Sequence, residues 1–239
     1  HVWRNQLTLW EDVILKSPHK PRTFINLAVA YDKNNRPMES IYFLSKAIGI
    51  NKNDYGSYMT RGTIYYKLGQ QTQALKDFNQ ALAINPNYFL TYLRRALLYK
   101  KQNKFKEALA DLTKSINLQP DFQYSYTNRG LLWMELGRTD RALKDFQHAL
   151  KIAPHDFEAL VDRGGLYYSL GQYELAIKDL THAQEVDPTN VMVYKNKANC
   201  FLKINKINEA LKDLQTVLHL NPTDIEARTM YQNATLLKQ

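Results

Sequence analysis

Five basic residues recur at one interval. Arg61, Arg95, Arg129, Arg163 and Lys197 stand 34 residues apart, and an aspartate follows each of them sixteen residues later: Asp77, Asp111, Asp145, Asp179 and Asp213. Two chemistries suit this pattern. A ladder of cations would bind phosphates, whereas five acid–base pairs would tie helices together. The acid accompanies the base in all five cases, and the stretch 21–54 lacks both. Pairing between the two helices of a hairpin, or between neighbouring hairpins, therefore accounts for the pattern better. Such pairs specify register more than they add stability.

The other reactive side chains form no recognisable constellation. His19, His148, His155, His182 and His219, besides His1, lack metal-ligand spacing. His148 and His182 lie one period apart, a spacing that could make them neighbours, but the expectation is two surface residues inherited by duplication. Cys200 is alone, which excludes an internal disulfide. Its place inside a helix reads as a small, partly buried residue rather than a reactive thiol. There is no Ser/His/Asp or Cys/His arrangement and no phosphate-binding glycine loop. The expectation is a non-enzyme with no catalytic residues, no metal and no cofactor.

These residues must be positioned by short helices. Pro86, Pro120, Pro154, Pro188 and Pro222 repeat every 34 residues, Pro18 falls on the same grid, and Lys52 interrupts it. In the stretch Gln123–Asp156, Tyr126, Gly130 and Trp133 share one helical face. Ala142, Phe146 and Ala149 share another, with Leu136-Gly137-Arg138 between them. The first helix carries a small residue (Ala28, Gly62, Ala96, Gly130, Gly164, Ala198) and, three residues on, an aromatic (Tyr31, Tyr65, Tyr99, Trp133, Tyr167, Phe201). The turn carries Asn35, Gly69, Asn103, Gly137, Gly171 and Asn205. The second helix opens on Ser40, Ala74, Ala108, Ala142, Ala176 and Ala210, with Leu44, Phe78, Leu112, Phe146, Leu180 and Leu214 four residues later.

Each class has a physical reason. Small residues let two helices cross closely, and the aromatics fill the space beside the crossing. Glycine and asparagine tolerate the left-handed backbone at a helix end. Proline cannot continue the second helix. Asn87, Asp121, Asp156, Asn190 and Asp224 are expected to cap the helix that follows.

A 34-residue helix–turn–helix period of this kind resembles the tetratricopeptide-repeat family. The resemblance implies an all-α fold, a right-handed superhelical solenoid of tandem hairpins with a C-terminal capping helix, and a single domain over 1–239. The expected boundaries are a partial repeat over 2–20 and full repeats over 21–54, 55–88, 89–122, 123–156, 157–190 and 191–224. A capping helix then covers 225–239. Val2 to Ser17 reads as the second helix of the partial repeat, with Trp10 at the Phe/Leu position, Val13 at an alanine position, and Pro18 closing it. The capping helix presents Ala227, Tyr231, Ala234 and Leu237 as its apolar side.

The family lines its concave face with first helices, and that face is the expected site for a protein or peptide ligand. Met59, Thr63 and Tyr66 face outward there, followed by Leu90, Leu93, Arg94 and Leu97. Tyr124, Thr127, Asn128 and Leu131 come next, then Val161 and Tyr168, and finally Lys195 and Asn199. Methionine adapts its shape and tyrosine is amphipathic, which suits a peptide. Lys195-Asn199 matches only the first pair of the carboxylate clamp with which some family members hold chaperone tails, so no such clamp is expected.

Composition narrows the partners. The chain has 239 residues and a net charge of +9, with a local cluster at Lys100, Lys101, Lys104 and Lys106. Without an arginine-rich stripe this reads as a solvated face, and nucleic acid is not the favoured partner. No apolar run is long enough to span a bilayer. The chain begins inside what reads as a helix, which implies a segment of a longer protein, with a monomer or weak homodimer expected.

Residues Trp3–Tyr31 also resemble the junction that starts tetratricopeptide domains attached to bacterial polytopic glycosyltransferase-like membrane proteins. The shared features are Arg4-Asn5, Leu9-Trp10, Ser17-Pro18, Arg22 and Asn26-Leu27. That resemblance implies a docking or regulatory tail outside the cytoplasm; without it the expected compartment is the cytoplasm. An RNA-binding helical repeat is a third reading, which a steep salt dependence would reveal.

Overall fold

The computed structural model of the chain describes residues 6–16 and 20–237, and all regular structure among them is α-helical. The N-terminal features Arg4-Asn5 and Ser17-Pro18, and His1 and His19, lie outside the described residues. The chain divides into two compact units, His1–Gln119 and Pro120–Gln239. The first contains α1 (Gln6–Lys16), α2 (Pro21–Lys33), α3 (Pro37–Ile50), α4 (Tyr55–Lys67), α5 (Gln71–Ile84), α6 (Phe89–Lys101) and α7 (Phe105–Leu118). The second contains α8 (Gln123–Glu135), α9 (Thr139–Ile152), α10 (Phe157–Ser169), α11 (Tyr173–Val186), α12 (Val191–Lys203), α13 (Ile207–Leu220) and α14 (Ile225–Leu236).

Consecutive helices pair as hairpins: α2 with α3, α4 with α5 and α6 with α7 in the first unit, and α8 with α9, α10 with α11 and α12 with α13 in the second. Within the first unit the hairpins are joined through α3 against α4 and α5 against α6. Within the second they are joined through α9 against α10 and α11 against α12, and α14 packs on α13. Among the described residues no helix is long and apolar enough to cross a membrane.

Turn chemistry sets the hairpins. Asn35, Asn103 and Asn205 have φ of 56°, 57° and 58°, and Gly69, Gly137 and Gly171 have φ of 76°, 67° and 74°. These are the left-handed positions that end a helix in a Schellman motif. The next residue's N–H reaches back to the aromatic residue's carbonyl, as in Arg36 to Tyr31 at 3.0 Å and Arg138 to Trp133 at 2.8 Å. The aromatic position thus supplies both packing area and the carbonyl that closes the turn.

Second helices end two residues before each grid proline, at Ile84, Leu118, Ile152, Val186 and Leu220. α3 ends at Ile50 in the same register although Lys52 replaces the proline. There Asn51 accepts the Asn53 N–H through its side chain at 3.0 Å, so an Asx turn stops the helix without proline.

Capping follows the expectation only in part. Asp156, Asn190 and Asp224 accept N–H groups of Ala159, Met192 and Ala227. Asn87 and Asp121 do not cap, because the N-caps of α6 and α8 are Tyr88 and Phe122, one residue further on. Asp54 holds the cap position of α4 and accepts from Ser57 N at 3.1 Å.

Inside the α4–α5, α8–α9 and α10–α11 hairpins the small residue meets the large one. A Cβ built on Gly62 would lie 2.9 Å from the Phe78 ring, and one on Gly130 would lie 2.8 Å from the Phe146 ring. Both phenylalanines are fully buried. Each such ring contributes about 2–3 kcal/mol of burial that only a glycine opposite permits. At the C-terminal end Ala227 and Ala234 of α14 are fully buried. Leu237 is 68% exposed. It therefore does not belong to the helix's apolar side: it stands at the C-cap, past the last turn that α13 covers.

Candidate functional site

The arginine–aspartate series is a set of clasps. Arg61 donates Nε and Nη2 to the two carboxylate oxygens of Asp77 at 2.7 and 2.8 Å. Arg95 to Asp111, Arg129 to Asp145 and Arg163 to Asp179 repeat this fork at 2.7–2.8 Å. The third donor of Arg61 reaches Ser45 Oγ on α3 at 2.8 Å, and that of Arg95 reaches Asn79 Oδ1 on α5 at 2.7 Å. One arginine thereby ties its own hairpin together and joins it to the preceding one. Tyrosines flank the guanidinium groups, for example Tyr92 and Tyr99 beside Arg95 at 5.6 Å each. Guanidinium groups so engaged do not form a ladder open to phosphates.

The fifth pair differs. Lys197 Nζ lies 3.5 Å from Asp213 Oδ1 and donates to Gln184 Oε1 instead. Asp213 Oδ2 is buried without a partner, and burial raises its carboxyl pKa. A single ammonium cannot supply the two parallel donors of a guanidinium.

The histidines are arranged otherwise than the repeat spacing suggests. His182 Nε2 is 2.8 Å from His155 Nδ1, with the rings edge to face, while His148 stacks on Tyr126 at 4.5 Å. The loop before α10 brings His155 beside α11, so His182 meets that loop and not His148. Among the described residues no group of three or more His, Cys, Asp or Glu side chains is placed to hold a metal ion. Cys200 is fully buried, and burial pushes its thiol up to about 11. It is a protonated core residue, not a nucleophile.

The first-helix residues divide into two local groups. In the first unit Met59 and Thr63 of α4 meet Leu90 and Arg94 of α6 around a depression of about 150 Å³, with Asp32, Thr60 and Ile64 completing it. Tyr66 and Leu97 are half-buried on the same helices, and Lys101 Nζ sits 5.5 Å over the Tyr66 ring. Leu93 is only 4% exposed, which corrects the outward placement expected for it: its helix turns it into the core. In the second unit Tyr168 of α10 and Asn199 of α12 line one cavity of about 110 Å³ together with Gly164, Gly165, Leu180, Asn196 and Cys200. Tyr124 is 43% exposed, and Asn128, Leu131 and Val161 are half-buried.

Thr127 is buried at 4% exposure, and its hydroxyl is spent on the Gln123 carbonyl. It too is corrected from an outward to an inward position. Lys195 is held by Glu226 at 2.6 Å and Asp224 at 3.2 Å, so it fastens α12 to the start of α14. Gly164, Leu180, Asn196 and Cys200 were not among the expected site residues. Side-chain size at equivalent repeat positions picks out Leu180 and Cys200, whereas Gly164 and Asn196 match Gly130 and Asn128 in register and carry no such signal.

Family models described as tetratricopeptide repeat match residues 89–122, 124–156, 157–190 and 191–224, and a model described as TPR repeat matches 62–103. The chain belongs to the tetratricopeptide-repeat family. This family is generally a non-catalytic protein-interaction scaffold. No curated protein matches the chain by sequence.

Among solved structures, the chain is similar to a chain of the APC/C hetero-tetramer Cut9–Hcn1, with a TM-score of 0.79 and 19% identity over 96% of this chain. It spans 46% of that protein's length. It is also similar to YrrB, described as a TPR protein with an unusual peptide-binding site, with a TM-score of 0.63 and 20% identity over 79% of this chain and 97% of YrrB. PilF of Pseudomonas aeruginosa gives a TM-score of 0.77 and 15% identity over 90% of this chain and 96% of PilF. At these identities the tetratricopeptide likeness is one of fold.

Proposed function

We propose that the first-helix faces bind an extended segment of a partner protein, and that the chain acts as a non-catalytic docking module. The carrying observation is the depression between α4 and α6. Met59 and Leu90 supply apolar walls and Thr60 a hydroxyl, Thr63 gives its hydroxyl proton to the Met59 carbonyl, and Arg94 supplies a cation across the hollow from Asp32, which Lys67 holds at 2.9 Å. A lining that is mostly apolar and hydroxyl-bearing, with one arginine, suits a polypeptide better than a phosphate backbone, whose contacts need several clustered cations. The peptide-binding site named for YrrB is consistent with this use of the fold.

The test is selection of a displayed random-peptide library on the immobilised chain. Met59→Ala, Leu90→Ala and Arg94→Ala are combined in one variant as comparator. These side chains are half-buried at most, so the variant is expected to fold. Selected peptides should bind it about tenfold or more weakly. Equal affinity for both proteins would remove this face from the binding site.

A further inference from the structure

Reading the repeats in register shows three side chains shrinking at one place. The first-helix position held by Leu97 and Leu131 is Gly165 in α10. Where glycine opens the crossing in α4 and α8 it faces Phe78 and Phe146, but Gly164 in α10 faces Leu180. The core position held by Ile64, Leu98, Leu132 and Leu166 is Cys200 in α12. All three smaller residues line the same cavity of about 110 Å³ between α10, α11 and α12. A Cβ added at Gly165 would meet no heavy atom within 4 Å.

The lining specifies a ligand. Gly164, Leu180 and Cys200 carry no charge, and the buried thiol stays protonated at neutral pH. Tyr168, Asn196 and Asn199 are only partly buried, and among the described residues no hydrogen-bond partner engages either carboxamide. An ion would find no countercharge among these residues. A wholly apolar molecule would leave two carboxamides facing it unpaired. A peptide with an aliphatic side chain satisfies both parts, since its main-chain N–H and C=O match the donor and acceptor of an asparagine. On the scale at which a cavity of ~150 Å³ admits benzene, this one admits a branched group of about four carbons.

We infer that this cavity is an anchor pocket for one aliphatic side chain, of leucine, isoleucine or methionine size, in an extended peptide whose main chain meets Asn196 and Asn199. The inference rests on the peptide-binding reading above and adds the residue class that the peptide presents.

The experiment is an amide NMR titration of the whole chain with N-acetyl-leucinamide, and with N-acetyl-glycinamide as control. The leucine probe should shift the amides of Gly164, Gly165 and Cys200 in a saturable way, and the glycine probe should not. Gly165→Leu fills the pocket from its open side and replaces glycine with a better helix former, so it should keep the wild-type melting temperature while losing the response. Peptides selected on the wild-type chain that bind the second unit should share one aliphatic position and weaken about tenfold or more on Gly165→Leu. Lack of saturation, or an undiminished response in Gly165→Leu, overturns the pocket. The Met59/Leu90/Arg94 comparator reports separately on peptide binding to the first unit, so the pocket can fail while that reading stands.

Discussion

The hairpins α8–α9 and α12–α13 follow one plan with different side chains. In the first, glycine faces phenylalanine and an arginine fork closes on Asp145. In the second, Ala198 and Leu214 share the core, and Lys197 faces Asp213 from 3.5 Å. The first is complementary in both volume and hydrogen bonding. The second keeps the volume match, a slightly larger small residue with a smaller large one, but leaves Asp213 Oδ2 unpaired. Size complementarity can thus be conserved by paired changes within a hairpin, whereas a change on one side of the fork alone leaves a buried acceptor behind.

Overpacking the tighter crossing has the largest expected effect. Gly130→Leu forces a side chain into the Phe146 ring and should destabilise the protein by about 3 kcal/mol or more, read as loss of melting midpoint. Gly130→Ala with Phe146→Leu rebuilds the alanine–leucine solution of α12–α13 and should recover most of that loss. If Gly130→Leu melted like the wild type, the close crossing would be disproved.

The next effect comes from the fork. Arg129→Ala leaves Asp145, 6% exposed, without its bidentate partner, and should cost about 3 kcal/mol. Lys197→Ala should cost roughly half as much, because Asp213 already lacks one partner. Chemical denaturation of both variants checks the ratio. Equal losses would show that lysine and arginine hold their aspartates alike.

What was legible in the sequence follows which interactions are local. Asn35 and Gly137 announce left-handed turns because few other residues take that backbone. The 16-residue offset announced the clasps because a hairpin fixes which positions of its two helices meet. Caps were half legible: Asp156 stands at the N-cap, but Asp121 stands one residue short of it, and capping geometry does not tolerate that shift. Burial of Leu93 and Thr127 was not legible, since it depends on how neighbouring helices cover a face. Nor was the meeting of His155 and His182, which depends on a loop path. The pocket lay in the sequence as two small residues, Gly165 and Cys200, and one pairing, Gly164 with Leu180 where Gly62 and Gly130 meet phenylalanine, visible only when side-chain sizes are compared in register.

Completing the weaker fork should change stability least. Lys197→Arg offers Asp213 the second donor that its Oδ2 lacks, as Arg129 does for Asp145. The gain should be about 1 kcal/mol at neutral pH. Its pH dependence gives the sign. Burial raises the Asp213 pKa in the folded chain, so its contribution to stability is present below the unfolded carboxylate value and is lost as pH rises through the folded one. Arginine stabilises the ionised form and should lower that pKa. The advantage of Lys197→Arg should therefore be small in acid, where Asp213 is protonated in both proteins, and should grow as pH rises through the carboxylate range. Melting midpoints of the two proteins across that range measure it. A gain independent of pH would mean that the arginine acts through its contacts with Gln184 and Tyr194 and not through Asp213.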